Sequence, residues 1–496
     1  MMIKEVDIIM ITKVDIMNFN KLKRQNEGRD IWYKTKRGTL HYTMQFGKTY
    51  TAILIIKKLL ENRDITNTDN IIVITPSDII RKQWESILNT HYLGVRVLTA
   101  QQAINESKLD NYNSNIDLVI FDEIHKFISE ERIKLITDIL NYKYILGLTG
   151  TYPSLDNSKV LDKYCPVIDT ITEYEALQNK WISPFIEYNL SVEFTEDDKL
   201  RYISYTAPIR EILQVFKDSH KLFLVFKNDY EVLTACYAGK KGNNGFVKPK
   251  DVCRELSTRK GWTKELDLDY GNNSVIEEHW NPETIYQRAM DFNTLVRNRN
   301  DLMINNNTKL DIIMEIYKKF KDKTIISFNE STDFATTITQ YINSIGGKAI
   351  VYHSNIKSQP LIDPSTGKFI TTKAGKVKIF GQTTLKNNAI EGIKNGDFTF
   401  LATARALDEG MSIPNIEVVI CSGGTVNPMQ YAQRSARGKT VDIYNPDKLT
   451  RIINLYFDDF YYEDKKVDCR DKQKLVKRQQ ENQSIIKWIK NIDEIL

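Results

Sequence analysis

Short, uninterrupted apolar runs recur along the chain at helix-length intervals. The first series is IIVIT at 71–75, DLVIFDE at 117–123 and YILGLTGT at 144–151. A second series follows with KTIISF at 323–328, KAIVYHS at 348–354, FTFLATA at 398–404 and EVVICSG at 417–423. Runs that are continuous rather than alternating belong to strands buried on both faces, the mark of parallel sheets covered by crossover helices. The pattern predicts two α/β domains. Between them, residues 192–310 lose the strand signal and read as helices with polar breaks, including LRYISYTAPIREILQVFKDSHKLFLVF and the looser GKKGNNGFVKPKD. The end of the chain, KQKLVKRQQENQSIIKWIKNIDEIL, has helical spacing and a basic stretch. The expected layout is therefore a first domain over 1–191, a mainly helical insertion over 192–310, a second domain over 311–450 and a helical basic tail over 451–496.

Composition agrees with that layout. A chain of 496 residues exceeds what one hydrophobic core organises. With 41% hydrophobic and 27% charged residues it is neither disordered nor fibrous. The five cysteines (Cys165, Cys236, Cys253, Cys421, Cys469) are odd in number, scattered and never spaced C-x-x-C, which argues against a disulfide framework or a zinc site. A reducing, cytoplasmic setting is expected. At the N-terminus Lys4, Glu5, Asp7, Lys13 and Asp15 interrupt the apolar residues, so neither a signal peptide nor a membrane span is expected. The 69 basic and 64 acidic residues leave +5, so a nucleic-acid partner is allowed only through a local basic footprint.

The first chemical motif is Met44-Gln45-Phe46-Gly47-Lys48-Thr49, between a strand-like TLHYT and the apolar TAILIIKKLLEN. Strand, loop and helix in that order form a phosphate cradle: amides at a helix N-terminus face the anion, Lys48 reaches the β/γ-phosphates and the Thr49 hydroxyl can hold Mg²⁺. Only the second glycine of the usual pattern is present, because the first falls on Tyr42. Further on, DLVIF delivers Asp122 and Glu123 within DEIH. In phosphate-loop ATPases such a pair supplies one carboxylate for the metal, here Asp122, and one to deprotonate the attacking water, here Glu123.

The ordered set of motifs resembles a superfamily 2 DExH-type helicase or translocase, similar to phage DNA helicases and restriction-enzyme motor subunits. The resemblance covers most of residues 20–440. Gln25 is similar to the adenine-reading glutamine, 44–49 to motif I, Thr75-Pro76 with Gln83-Trp84 to motif Ia, and Leu98-Thr99 to motif Ib. Asp122 to His125 resembles motif II and Thr149 to Thr151 motif III. In the second half Ser327-Phe328 resembles motif IV, Thr403 with Gly410 motif V, and Gln433-Arg434-Ser435-Ala436-Arg437 motif VI. Motif V carries Ser412 where many members have aspartate, and the last arginine of motif VI falls on Thr440.

The resemblance implies two tandem RecA-like parallel-sheet domains with a helical insertion and a short helical C-terminal tail. It implies ATP and Mg²⁺ as cofactors, with nucleotide contacts from Gln25, Gln45, Phe46, Gly47, Lys48, Thr49, Asp122, His125 and Gly410, and the metal held by Thr49 and Asp122. Glu123, Asp122, Gln433, Arg434 and Arg437 are the expected catalytic group; Arg434 and Arg437, at i and i+3, would project from one helix face as arginine fingers. Pro76, Gln83, Thr99, Thr149, Thr151, Ser327 and Thr403 are the expected nucleic-acid contacts. His125 either couples ATP to the second domain or is a hydrogen-bonded strand-end histidine.

The partner implied is single-stranded or branched DNA, with replication or recombination proteins beside it and no membrane. The function expected is ATP-dependent movement along DNA, or its unwinding, in phage replication, recombination or repair. An RNA helicase and a non-catalytic nucleic-acid-binding module that has lost its ATPase are the competing readings. Residues 367–380, with Lys368, Lys373, Lys376 and Lys378, read as a basic hairpin suited either to strand handling or to an ordinary solvated surface. The mixture of Tyr237, Lys240, Lys241, Phe246, Lys248, Trp262 and Lys264 in the insertion suits single-strand contact or a solvated helical cap equally well.

Overall fold

The β-branched runs fold as the strands their composition favours. The computed structural model describes residues 13–108, 115–151, 155–223, 225–242, 245–261, 280–360, 371, 376–377, 379–404, 413, 415–423, 428–442, 445, 447–482 and 486–496. It divides into two units, one of residues 1–191, 313–456 and 473–496 and the other of residues 192–312 and 457–472.

In the first unit a long helix, α1 (Lys13–Thr35), leads into β1 (Arg37–Tyr42), α2 (Lys48–Glu61), β2 (Ile71–Thr75) and α3 (Asp78–Thr90). The strands β3 (Arg96–Thr99), β4 (Ile116–Asp122), β5 (Tyr142–Thr149) and β6 (Val167–Ile171) complete a six-stranded sheet. Its order is β3-β2-β4-β5-β1-β6 and its pairings are parallel. The chain leaves β1 near one edge and returns at β2 on the far side of β4 and β5. β4, β5 and β1 are consecutive neighbours, so their carboxyl ends lie side by side, where open parallel sheets place their ligands. Two apolar layers cover the sheet. One gathers Trp32, Phe46, Ile55, Trp84, Leu118 and Trp181, and the other Ile74, Phe121, Phe127, Leu135 and Leu161.

The same unit holds a seven-stranded sheet made of β7 (Phe185–Val192), β8 (Ile325–Asn329), β9 (Ala349–His353), β10 (Phe400–Ala404), β11 (Val418–Cys421), β12 (Thr450–Phe457) and β13 (Ile486–Ile489). Its order is β9-β10-β8-β11-β12-β7-β13. The pairs β8–β10, β8–β11, β9–β10, β11–β12 and β7–β13 are parallel.

This sheet departs from the sequence-based boundaries. Residues 185–191 were expected in the first domain, yet β7 pairs with β13 at the far end of the chain. The expected helical tail contributes two strands to this sheet, because TRIINLYF is almost wholly buried and IKWI buries both its isoleucines, and a further hairpin pairs Phe460–Tyr462 with Lys465–Val467. Only Arg470–Asn482 of that tail is helical beyond a short terminal turn, among the described residues.

The second unit is built from the helices Glu196–Val215, Asp229–Ala238, Pro249–Lys260 and Pro282–Ile304. Thr195, Asn228 and Asn281 cap three of them by accepting bonds from the amides of Asp198, Glu231 and Thr284. Phe216, Val232, Leu256 and Phe292 anchor their core. Residues 457–472 join this unit, and Asp471 pairs with Lys309 at 3.1 Å with both side chains buried. A short hairpin joins Lys240–Gly242 to Gly245–Val247. Tyr237 is exposed, whereas Trp262 and Lys264 lie outside the described residues.

Of the expected basic hairpin, Thr371 bridges Val377 antiparallel and Ile379–Phe380 pairs with Gln359–Pro360; Lys368, Lys373 and Lys378 lie outside the described residues. All five cysteines are free and buried. Among the described residues no helix is long and apolar enough to cross a membrane.

Gly147 lets β5 lie tight against β1: a Cβ there would stand 2.5 Å from Thr39 Oγ1 and 2.9 Å from Ile124 Cδ1. Gly147→Ala is expected to destabilise this sheet by about 1–3 kcal/mol through overpacking, read as a lowered melting temperature in calorimetry.

Candidate nucleotide site

Motif I forms the turn its sequence requires. Gly47 caps α2 in a left-handed conformation (φ 101°, ψ 44°), and a Cβ there would sit 2.6 Å from Gln25 Nε2. Glycine is therefore needed twice, for its backbone angle and for the close approach. Gln25, on α1, is buried and its amide donates to the carbonyls of Phe46 (3.1 Å) and Gly47 (3.4 Å). Gln45 has positive φ (68°) without being glycine. Its carbonyl accepts from Lys21 Nζ at 3.1 Å, and the same ammonium reaches the carbonyl of Trp181 at 3.2 Å. Burial pushes Lys21 down to about 8. Phe46 is inaccessible, edge-on to Tyr42 (5.3 Å) and to Trp181 (5.1 Å). Side chains of α1 and the aromatic packing thus hold the loop where further glycines are missing. Lys48 donates to the Tyr42 carbonyl at 3.4 Å, and Thr49 lies in the first turn of α2.

Asp122 ends β4 and is buried. Its Oδ2 accepts from Trp84 Nε1 at 2.7 Å and its Oδ1 from the Glu123 amide at 3.0 Å. Burial, then the charge of Glu123, pushes this carboxyl up to about 6, against the Trp84 bond and the charge of Lys48. Glu123 takes left-handed angles (φ 50°, ψ 53°), a local strain of the kind that collects at functional positions. One of its carboxylate oxygens lies 3.4 Å from His125 Nδ1. His125 Nδ1 is 2.7 Å from Thr149 Oγ1 and 3.4 Å from Thr151 Oγ1. Thr149 in turn donates to the Thr151 carbonyl. Motifs II and III are therefore one hydrogen-bonded cluster at the ends of β4 and β5. His125, in the short turn Ile124–Phe127 after β4, is thus bonded to the end of β5. Burial and the nearby Lys48 charge hold His41, on β1, below its usual range.

Several expected residues are placed otherwise. Arg434, at the end of the helix Pro428–Ala436, is fully buried and donates to Glu330 at 2.8 Å, with its guanidinium 5.7 Å from the Phe328 ring. An arginine spent on an internal ion pair is a fastener of its own domain, not an exposed finger. Arg437 and Gln433 are also buried, at 6% and 8% exposure. Ser327 and Thr403 are inaccessible inside β8 and β10, so neither hydroxyl is available to nucleic acid in this structure. Thr149 is likewise buried and committed to His125. Thr99 accepts from the Gln102 amide in a capping box, while Pro76, Gln83 and Thr151 are partly exposed. Gly410 and Ser412 lie outside the described residues.

Sequence reasoning missed Lys21, Glu330 and the service of Trp84 to Asp122. The apolar positions Ile80, Trp84 and Leu88 share one face of α3, which reads as core; nothing in that spacing shows where the indole N–H points.

The arrangement fits a nucleotide and its cation. A Cβ on Gly150 would stand 3.0 Å from Lys48 Nζ and from Met44 Cγ, a tight contact that leaves this backbone close against the loop lysine. Asp122 and Thr49 offer the oxygen donors that Mg²⁺ prefers. Two parallel-sheet α/β domains, one with a phosphate cradle beside an acidic pair, define the class: the fold resembles the RecA-like domains of helicases.

Comparison with known proteins bears on the family. Residues 89–154 match the family described as type III restriction enzyme, res subunit, and residues 308–439 match the helicase conserved C-terminal domain. The DNA 3'-5' translocase XPB2 of Sulfurisphaera tokodaii is 22% identical over 449 residues, spanning 86% of this chain and 81% of that protein. S. cerevisiae Dbp5 bound to RNA and ADP BeF3 superposes with a TM-score of 0.50 at 11% identity, covering 92% of this chain and 86% of that one. A variant of the same yeast protein, bound likewise, gives 0.53 at 12% identity, covering 99% and 97%. These findings support a superfamily 2 helicase or translocase similar to restriction-enzyme motor subunits, a family that implies use of ATP, usually with Mg²⁺.

Because the Asp122 shift is upward, its charged form is present above about pH 6 and is lost as pH falls through that value. Mg-nucleotide affinity is therefore expected to fall on acidification around pH 6, as followed by titration calorimetry. Trp84→Phe should move that midpoint up, by removing a donor to the carboxylate, and Glu123→Gln should move it down, by removing a repelling charge.

Proposed function

We propose that this chain is an ATP-dependent DNA translocase or helicase, serving DNA replication, recombination or repair in a phage. The observation that carries the ATPase reading is the adjacency of β4, β5 and β1, which brings Lys48, Asp122, Glu123 and His125 to one edge of one sheet. DNA is favoured as the track because the relative spanning most of this chain is a DNA translocase.

Bound ATP with Mg²⁺ would supply the phosphoryl group and the charge to be stabilised. Lys48 and the α2 amides bind the phosphates. Thr49 and Asp122 would hold the cation. Glu123, fixed at its strained turn beside His125, takes the proton from the attacking water. Arg437 stabilises charge on the phosphoryl oxygens. Arg434 keeps the arginine-bearing helix on β8 through Glu330. Partly exposed Pro76, Gln83 and Thr151 are the remaining candidates for the nucleic-acid track.

ATP hydrolysis and unwinding should be measured over single-stranded, forked and branched DNA and duplex RNA. DNA-stimulated turnover is expected in the wild type and a loss of about 10²–10⁴-fold in Glu123→Gln. A wild type without stimulated turnover overturns the motor, and stimulation by RNA alone overturns the choice of DNA.

The two arginines should separate in the same assay. Arg437→Ala is expected to keep nucleotide binding and lose turnover by about 10³-fold or more. Arg434→Ala empties a fully buried position and leaves the partly exposed Glu330 without its partner, and is expected to cost about 1–3 kcal/mol of stability, visible as a lowered melting temperature.

A further inference from the structure

The segment 181–185, Trp-Ile-Ser-Pro-Phe, runs from the first sheet to β7 of the second and is bonded at both ends to the ATPase motifs. At its start, the Trp181 carbonyl shares the Lys21 ammonium with the carbonyl of Gln45 in the phosphate loop, at 3.2 Å and 3.1 Å. The Trp181 ring packs edge-on against Phe46 of that loop at 5.1 Å. Two residues on, the Ser183 amide donates to the Lys439 carbonyl at 2.9 Å, and its hydroxyl donates to the Thr440 carbonyl at 2.8 Å. Lys439 and Thr440 close the turn that carries Arg437. The Lys439 ammonium lies 4.0 Å from the Phe185 ring and pairs with Glu173 of the first domain. Gln45 keeps an unfavourable positive φ at the point where Lys21 holds its carbonyl.

We propose that Lys21 and Ser183 are positioning residues at the two ends of one strap, which couples the geometry of the phosphate loop to the placement of Arg437. The proposal rests on the ATPase reading above for its catalytic consequence, but not for its structural one. A shift of the loop that breaks the Lys21 bridge releases Trp181. Through Ile182, the one residue between Trp181 and Ser183, it loosens the hydrogen bonds that fix the Arg437 turn. Lys21 holds the loop through the Gln45 carbonyl and Ser183 holds the Arg437 turn through the Lys439 and Thr440 carbonyls, so their effect on turnover passes through the loop and through Arg437.

The test is hydrogen exchange on the full chain without nucleotide, in wild type, Lys21→Met, Lys21→Arg and Ser183→Ala. Lys21→Met is expected to raise exchange about threefold or more at 181–185 and 437–440 as well as at 44–49, with Lys21→Arg restoring protection because it keeps the donors. Increased exchange confined to 44–49 overturns the strap.

In steady-state kinetics Lys21→Met should raise KM for ATP and lower kcat, whereas Ser183→Ala should lower kcat with KM nearly unchanged. Combined, they should lower kcat by less than the product of their separate effects, since coupled sites are not additive. A full product overturns the coupling. The exchange result does not need turnover, so an inactive wild type would refute the ATPase reading without being mistaken for failure of the strap.

Discussion

Strand β5 lies between β4 and β1, and the parallel register among the three sets where the chemistry can be. In a parallel sheet all strands end on the same side, so the groups that follow β1, β4 and β5 meet at one edge. The groups following β1 are Lys48 and the amides of α2; those closing β4 are Asp122 and Glu123; the group closing β5 is Thr149. Gly147 keeps β5 close enough to β1 for this to hold, because any side chain there would meet Thr39 and Ile124. The His125–Thr149 contact depends on the pairing of β4 with β5, and the Trp84 bond to Asp122 on the pairing of β2 with β4.

Buried polar groups of these motifs are satisfied by side chains from other segments of the chain. Trp84 answers Asp122, Gln25 and Lys21 answer the loop carbonyls, and Glu330 answers Arg434. Each removes the desolvation cost of a charged or strained group and fixes its orientation. The phosphate loop shows the consequence most clearly. It has one glycine where the usual pattern has two, and α1 supplies the missing definition by holding three successive carbonyls, Gln45, Phe46 and Gly47.

Much of the fold could be read along the chain because buried parallel strands write themselves as continuous β-branched runs; IIVIT, DLVIF, FTFLATA and EVVICSG all became strands of the two sheets. Phe185–Val192, Thr450–Phe457 and Ile486–Ile489 were harder. The first has polar Glu187 and Asn189 inside it, and both are buried through hydrogen bonding to Asn454, a partner far away in sequence. The last is a four-residue strand in a basic segment whose pairing with β7 no local pattern discloses. In the site, Lys48, Asp122 and Glu123 were legible from motif spacing, whereas the burial of Ser327, Thr403 and Arg434 was not, since spacing assigns a residue to a strand or helix without giving its depth.

The sequence by itself determined most of the element types, the order of the motifs and which residues are candidates for phosphate, cation and water, because these follow from local periodicity and functional-group chemistry. Only the tertiary structure decided which of them face the nucleotide edge and which are fasteners. Arginines three apart on a helix look alike in one dimension. One of them is fully buried and meets the partly exposed Glu330 just past the end of β8, and that meeting is fixed by packing between segments about a hundred residues apart.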